Sequence, residues 1–133
     1  MRYLLDTDIC IYLIKNRPQN VLKQFRKHQP NEVALSIISL FELEYGAAKS
    51  SQPERAKKAL EKFLSPLSIF DMDRPAAEEA AIIRARLEKR GTPIGPYDVL
   101  IAGLAKSRAM TLVTNNTKEF KRISGLSVEN WTS

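Results

Sequence analysis

RYLLDTDICIYLIK, residues 2–15, is an apolar run that is interrupted by two aspartates, Asp6 and Asp8, and then becomes apolar again. The part that ends at Leu5 has the length and composition of a strand, and the part from about Asp8 to Lys15 has the apolar spacing of a helix. A carboxylate between two segments that must be buried costs free energy unless a partner compensates its charge. This order predicts the start of an α/β fold and a charged group kept there for binding or catalysis.

The rest of the chain repeats this alternation of short apolar runs and helical patterns. We predict further strands at residues 33–38, 67–70, 111–114 and 126–128, and helices at residues 18–27, 39–49, 53–64, 75–90 and 96–108. Strands separated by helices imply right-handed crossovers and a parallel sheet that is covered on both faces. The predicted fold class is therefore α/β, with three α/β/α layers and a central, mostly parallel sheet of about five short strands.

The length of 133 residues fits one domain. No repeat, low-complexity tract or linker-like stretch divides the sequence, so residues 1–133 are assigned to a single domain. No stretch has the roughly 20 consecutive apolar residues that span a bilayer, and no cleavable signal peptide is visible. We therefore expect a cytoplasmic protein without a membrane partner.

The composition limits the chemistry that the chain can perform. With 21 Lys and Arg against 15 Asp and Glu, the net charge of +6 favours a polyanionic partner such as nucleic acid. Cys10 is the single cysteine, which excludes an internal disulfide and a multi-cysteine zinc site, and its apolar neighbours predict a buried, inert thiol. His28 is the single histidine and lies in a basic segment at a predicted helix end, so we do not expect a histidine-dependent catalytic site.

The predicted topology brings polar residues together at one edge of the sheet. Asp6 directly follows the first predicted strand, and Asn115 and Asn116 directly follow the strand at 111–114. In an open parallel sheet the functional crevice lies outside the carboxyl ends of the strands. These residues meet there if the two strands are neighbours. Asp8 is placed where it can cap the following helix, whereas Asp6 comes too early in the chain to do so.

Glu42 allows both a structural and a functional interpretation. It follows Ser39 by three residues, which is the spacing of a capping box at a helix start. Its neighbours Leu40, Phe41 and Leu43 are apolar, however, which favours a carboxylate that faces the interior rather than the solvent.

Asp98 is the most informative single residue. It lies in the first turn of a helix that Pro96 begins and that is apolar nearly all round, which predicts a buried helix. A carboxylate in such a helix must be paired, protonated or bound to a cation. The interaction of its charge with the helix N-terminus is the structural alternative.

Carboxylates from three separated segments repel one another if they meet without a cation. The same apolar segments contain no cluster of Lys or Arg that could neutralise them. A divalent cation such as Mg²⁺ or Mn²⁺ prefers oxygen ligands and would neutralise these carboxylates. An ion of this kind can activate a water and stabilise charge that develops on a phosphate.

Four segments, in chain order, resemble the motifs of a known family: LLDTDICIYLIK, SIISLFELEYG, GTPIGPYDVLIAGLA and LVTNNTKEF. They resemble the PIN-domain family, and most of all its VapC-type toxins from bacterial toxin–antitoxin pairs. The block PIGPYD is the most specific part, and the similarity extends over essentially the whole chain. The resemblance implies a PIN-like domain with the activity of a Mg²⁺- or Mn²⁺-dependent endoribonuclease.

Carried over position by position, the resemblance implies that Asp6, Glu42 and Asp98 are the acidic metal ligands. Asn116 stands where many members have a fourth acid, which leaves open whether one or two metals bind. Thr114 lies beside it at the strand end, and both are expected to orient waters or the scissile phosphate in the catalytic site.

Two further acids are candidates for the metal site. Glu119 could supply the missing charge through the turn that follows Asn116. Asp8 stands where the family usually has asparagine, and its extra charge beside Asp6 would change the affinity for the metal.

The resemblance also implies partners. The substrate would be RNA, and structured RNAs such as tRNA are compatible with it. A cognate VapB-type antitoxin would inhibit the enzyme, and the helices SLFELEYGAAK and PERAKKALEKFL could form a groove for its amphipathic segment. A homodimer, which forms a larger complex with the antitoxin, is the expected assembly.

Two alternative functions are kept open. The first is a catalytically impaired PIN-like module that binds RNA or another protein, which Asn116 in place of an acid would favour. The second is a haloacid-dehalogenase-like phosphatase, with Asp6 as nucleophile and Asp8 as general acid. Such a phosphatase needs a later acidic pair for Mg²⁺, and the segment after Asn116 contains only the separated Glu119 and Glu129.

Overall fold

The computed structural model describes residues 2–132. Its five strands are β1 Tyr3–Leu5, β2 Val33–Ser36, β3 Ser68–Phe70, β4 Thr111–Val113 and β5 Val128–Glu129. All neighbouring strands pair in parallel, in the order β3-β2-β1-β4-β5. The central strand β1 pairs with both β2 and β4, so the two strands with polar residues at their ends are neighbours, a point that the sequence left open.

The helices alternate with the strands as predicted. They are α1 Thr7–Ile14, α2 Gln19–Arg26, α3 Ile37–Ala48, α4 Pro53–Leu64, α5 Arg74–Lys89, α6 Pro96–Ser107 and α7 Thr117–Phe120. The four-residue helix α7 and a 3-10 turn at Pro30–Glu32 were not predicted, because neither is long enough to show a periodic apolar pattern. Strand β5 begins two residues later than predicted, where Val128 pairs with Leu112.

The two faces of the sheet carry separate helix layers. Successive strand residues point to opposite faces, so Leu4 packs among the buried residues of α5 and α6, and Leu5 packs among those of α1, α3 and α4. This confirms the predicted three-layer architecture. Cys10 is fully buried in the second of these layers, as predicted.

Helix α6 is buried as predicted and is fitted closely to α5. A Cβ atom on Gly103 would lie 2.6 Å from the Ala80 Cβ atom and 2.8 Å from the Ala76 carbonyl oxygen, so only glycine allows this approach. Past the end of α6, Arg108 Nη2 lies 3.0 Å from Asp73 Oδ2. These contacts fix the helix that carries Asp98 in its first turn.

The prediction that Asp8 caps α1 and that Asp6 comes too early is wrong. Asp6 is the N-cap residue, and its Oδ1 atom accepts a hydrogen bond of 3.1 Å from the Ile9 amide. The reason is that β1 ends at Leu5 and the Asp6 amide still donates to the Val113 carbonyl at 3.0 Å, so the helix begins at once. Asp8 lies in the first turn and is exposed.

The prediction that Ser39 and Glu42 form a capping box is also wrong. Strand β2 ends at Ser36, two residues earlier than predicted, and Ser36 Oγ accepts a hydrogen bond of 3.0 Å from the Ser39 amide. Helix α3 therefore starts at Ile37, which places Glu42 in its middle and excludes a capping role for this carboxylate.

His28 packs in an aromatic cluster and not among the predicted acids. Its ring stacks on Trp131 with centroids 5.3 Å apart and lies 4.4 Å from the ring of Tyr3, the first residue of β1. This cluster lies at the amino end of the sheet, opposite to Asp6. Within residues 2–132, no helix combines the length and the apolar character that a membrane crossing requires.

Candidate active site

The predicted acids meet at the carboxyl edge of the sheet. Asp6 follows β1, Thr114 and Asn116 follow β4, and α3, which carries Glu42, begins directly after β2. The first turn of α6 brings Asp98 to the same edge, where it interacts electrostatically with Asp6. The topology thus brings together residues that are more than 100 positions apart in the chain.

Asp6 is the buried centre of this group, with 5% of its surface exposed. Its Oδ1 atom accepts from the Ile9 amide and its Oδ2 atom accepts a short hydrogen bond from the Thr114 hydroxyl. Burial raises the pKa of Asp6 to about 7; the two hydrogen bonds oppose this change, and the charges of Asp8 and Asp98 add to it.

Asp98 is half-buried, and its pKa is raised to about 6. Burial is the largest cause, followed by repulsion from Glu42, Glu119 and Asp8. The other four predicted acids, Asp6, Asp8, Glu42 and Glu119, therefore lie within electrostatic reach of Asp98. Asp8 is exposed and acts on the pKa of both Asp6 and Asp98, so it lies at the mouth of the site.

Glu42 is oriented by a hydroxyl that sequence reasoning missed. Thr7 Oγ1 donates a hydrogen bond of 2.7 Å to Glu42 Oε1 and lies 3.1 Å from Ser39 Oγ. Thr7 stands between the two aspartates of the opening stretch, and its residue type alone does not indicate a partner 35 positions away. The Thr7 side chain thus links the start of α1 to α3 at the site.

The side chains of Thr114 and Asn116 donate hydrogen bonds to acids of the site. The Asn116 amide donates to Thr114 Oγ1 at 2.9 Å, and Asn116 Nδ2 donates to Glu119 Oε2 at 3.0 Å. Glu119 is thereby held at the site through α7, where its charge acts on Asp98. The two polar residues after β4 thus orient Asp6 and Glu119.

The acidic group has no basic partner among the described residues. The ion pairs found within residues 2–132 involve Glu44, Glu61, Asp73, Glu79 and Glu88, none of which belongs to the site. In the same range, no three His, Cys, Asp or Glu side chains stand close enough together to form a closed metal site as they are oriented. Carboxylate oxygens are nevertheless the ligands that a hard divalent cation prefers. Without a counter-charge these carboxylates repel one another, and a bound cation would remove that repulsion.

An apolar groove adjoins the acids on the outer side of α3. It has a volume of about 400 Å³ and lies between α1, α3 and α4, with Glu42 at its margin. Gly46 leaves it open, since no atom lies within 4 Å of the position that a Cβ would take there. The predicted groove between α3 and α4 is present, and α1 contributes Ile11, Ile14 and Lys15 to it, which was not foreseen.

The sequence matches the PIN domain over residues 3–126. The tRNA(fMet)-specific endonuclease VapC of Shigella flexneri is 45% identical over 131 residues, which cover 98% of either protein. The ribonuclease VapC2 of Rickettsia felis is 44% identical over 134 residues, again with 98% of each chain covered. These similarities contradict the phosphatase alternative.

Solved structures agree with this assignment. The structure of VapBC2 from Rickettsia felis, bound to a DNA fragment from its promoter, superposes with a TM-score of 0.92 at 42% identity, covering 98% of this chain and 99% of that one. The DNA-bound VapBC of Salmonella typhimurium gives a TM-score of 0.92 at 45% identity, with 98% of both chains covered. The chain belongs to the PIN-domain family, among its VapC ribonucleases.

Proposed function

We propose that this ribonuclease is an endonuclease that depends on Mg²⁺ or Mn²⁺, cleaves tRNA, and is inhibited by a VapB-type antitoxin. The observation that carries the proposal is the buried Asp6 carboxylate, which interacts with the charges of Asp98 and Asp8 and pairs with no Lys or Arg within residues 2–132. A protein retains such an arrangement at a cost in stability, and functional sites are where perturbed carboxylates are concentrated.

Asp6, Glu42 and Asp98 would hold the ion, with Glu119 and Asp8 as further acids beside it. When bound, the ion supplies a water of lowered pKa and stabilises the charge that develops on the phosphate. The chain itself supplies orientation: Thr114 and the Ile9 amide fix Asp6, and Thr7 fixes Glu42. Hydrogen bonds of this kind set the direction and basicity of metal ligands.

The tRNA substrate is inferred from similarity and charge. The relative from Shigella flexneri, which is 45% identical, is a tRNA(fMet)-specific endonuclease. The net charge of +6 favours a polyanion. Lys and Arg side chains around the crevice would hold the RNA backbone, and binding would weaken as salt concentration rises.

The antitoxin is inferred from the groove and from the relatives. Proteins from Rickettsia felis and Salmonella typhimurium with this fold occur as VapBC complexes. The groove between α1, α3 and α4 is apolar and would receive an amphipathic segment, as helix-in-groove partners do. Since Glu42 lies at its margin, a basic side chain of the antitoxin would reach the acids from there. We expect a homodimer as the toxin's own assembly.

The activity test uses purified protein, total tRNA, and either Mg²⁺ or Mn²⁺ or EDTA. We expect discrete fragments that require both the ion and Asp98, so that Asp98→Asn is inactive. Asp73→Asn is the matched control, because Asp73 also lies at a helix start but pairs with Arg108. Cleavage that persists in EDTA would contradict the metal dependence. Folded protein that cleaves no RNA would favour the impaired module, and Asn116→Asp would then be tested for restored activity.

The antitoxin proposal has a separate test. Gly46→Leu would fill the groove, whereas Ala48→Leu adds the same side chain at an exposed position of α3. We expect Gly46→Leu to bind the cognate VapB-type antitoxin at least tenfold more weakly in a titration, and Ala48→Leu to bind it normally. Equal binding by both variants would place the antitoxin elsewhere.

A further inference from the structure

A second recess lies at the far end of α1. Its volume is about 330 Å³, and its lining consists of Ile11, Tyr12, Lys15, Arg17 and Pro18. The ring of Tyr12 packs against the core on one side and borders the recess on the other. Ile11 and Lys15 also border the groove between α1, α3 and α4, whereas Tyr12, Arg17 and Pro18 line only this recess.

A hydrogen bond connects this recess with the acidic site. Asn115 Nδ2 donates to the Tyr12 hydroxyl oxygen at 2.7 Å. Asn115 stands between Thr114, which binds Asp6, and Asn116, which binds Glu119. Because the Tyr12 oxygen accepts this bond, its own proton can be donated to a ligand. The recess therefore opens directly beside the segment that orients the acids.

The recess carries two cations that other contacts do not neutralise. Lys15 and Arg17 are exposed, and neither belongs to an ion pair among residues 2–132. Within residues 2–132, the basic side chains paired with carboxylates are Lys57, Arg84, Lys106 and Arg108. An aromatic face beside two free cations matches the chemistry of single-stranded nucleic acid, in which bases stack and phosphates follow at short intervals.

We propose that this recess is a nucleotide subsite for the RNA substrate. A base or ribose lies against Tyr12, and the neighbouring phosphates contact Lys15 and Arg17. Asp6 and Lys15 are nine residues apart, which is about 14 Å along α1 at 1.5 Å per residue. The bound nucleotide thus lies a few positions along the strand from the cleaved bond. The inference rests on the proposed ribonuclease function and adds the path of the RNA.

Binding is measured apart from cleavage. All variants are made in the Asp98→Asn protein, which we expect not to cut RNA, and a fluorescein-labelled single-stranded RNA of about 12 nucleotides is titrated by anisotropy at several salt concentrations. Lys15→Ala with Arg17→Ala should weaken binding about tenfold and lower the salt slope by about 1.4, at about 0.7 per lost phosphate contact. Tyr12→Leu should weaken binding about fivefold and leave the salt slope unchanged, since stacking carries no charge.

The matched control removes two positive charges elsewhere. Lys27 and Arg74 are exposed, form no ion pair within residues 2–132 and do not line the recess, so Lys27→Ala with Arg74→Ala should change the affinity less than twofold. Equal weakening by both double variants, or none by the recess variant, would overturn the subsite. So would a recess variant that changes only the oligomeric state in size-exclusion chromatography. Failure of the wild-type protein to cleave any RNA, while these binding differences remain, would refute the proposed activity and not the subsite.

Discussion

Two regions of the molecule treat charge in opposite ways. At the carboxyl edge of the sheet, Asp6 and Asp98 lie near further acids and form no ion pair within residues 2–132, and their pKa values are raised to about 7 and about 6. Around Phe70, the last residue of β3, Arg108 pairs with Asp73 and lies 4.6 Å from the centroid of the Phe70 ring, above which Arg2 also lies at 5.2 Å. We call these four residues the Phe70 patch.

This comparison shows how a structural charge differs from a functional one. In the Phe70 patch each charge has a partner, and the pairing leaves little attraction for an added ion. At the acidic edge, burial and mutual repulsion destabilise the charged form of the carboxylates, and a bound cation would offset both effects. Removing a carboxylate should therefore have opposite effects on stability in the two regions.

The largest expected effect is that of Asp6→Asn. Cleavage of tRNA should fall by more than about a hundredfold, because loss of groups that only support metal ligands already costs up to that amount. In EDTA near pH 8 the free energy of unfolding should rise by about 1 to 3 kcal/mol, since the buried charge is gone and asparagine still caps α1. Urea denaturation measures the second effect. A variant that loses both activity and stability would show Asp6 to be structural.

Asp73→Asn tests the Phe70 patch. It removes the ion pair with Arg108 and retains a side chain that can accept the hydrogen bond of 3.0 Å from the Ala76 amide. We expect normal cleavage and a loss of at most about 1 kcal/mol in the free energy of unfolding, as is usual for partly exposed pairs. A gain in stability would contradict the comparison.

Thr114→Val should reduce cleavage about 10- to 100-fold, as is typical when a partner of a metal ligand is lost. The Thr114 hydroxyl lowers the pKa of Asp6 against the effect of burial, so its removal should raise that pKa further. The pH profile of cleavage should then shift to higher pH, because protons compete with the metal for Asp6. An unchanged profile with reduced activity would mean that Thr114 acts on the RNA instead.

Helix α6 joins the two regions, with Asp98 in its first turn and Arg108 after its last. Gly103→Ala should cost about 1 to 3 kcal/mol by overpacking against α5. Gly46→Ala, in the open part of α3, should instead stabilise by about 0.5 to 1 kcal/mol. Thermal unfolding of both variants distinguishes close packing from helix propensity. A neutral Gly103→Ala would show that α5 and α6 can separate without cost.

Stability in EDTA should also depend on pH, through the same carboxylate that Asp6→Asn removes. The folded pKa of Asp6 is about 7, above the ordinary value of 3.8, so the folded protein keeps a proton that the unfolded chain loses. This contribution to stability is complete below about pH 4 and is lost as pH rises to about 7. Subtracting the curve of Asp6→Asn isolates it. A difference that grows in the other direction would show that Asp6 is paired with a cation.

The sequence alone determined the architecture and the identity of the acids. Alternating apolar runs and helical patterns are properties of local segments, so they predict the parallel sheet and the buried helix of Asp98, but not which strands are neighbours. The motif order gave the family.

Only the tertiary structure decided which residue plays which part within these segments. Asp6 and Asp8 are both able to cap a helix, as are Ser36 and Ser39, and the choice depends on where pairing with neighbouring strands ends. The bonds from Thr7 to Glu42 and from Asn115 to Tyr12 join positions 35 and 103 residues apart. Local patterns carry no information on such contacts, because they form only after the layers have packed.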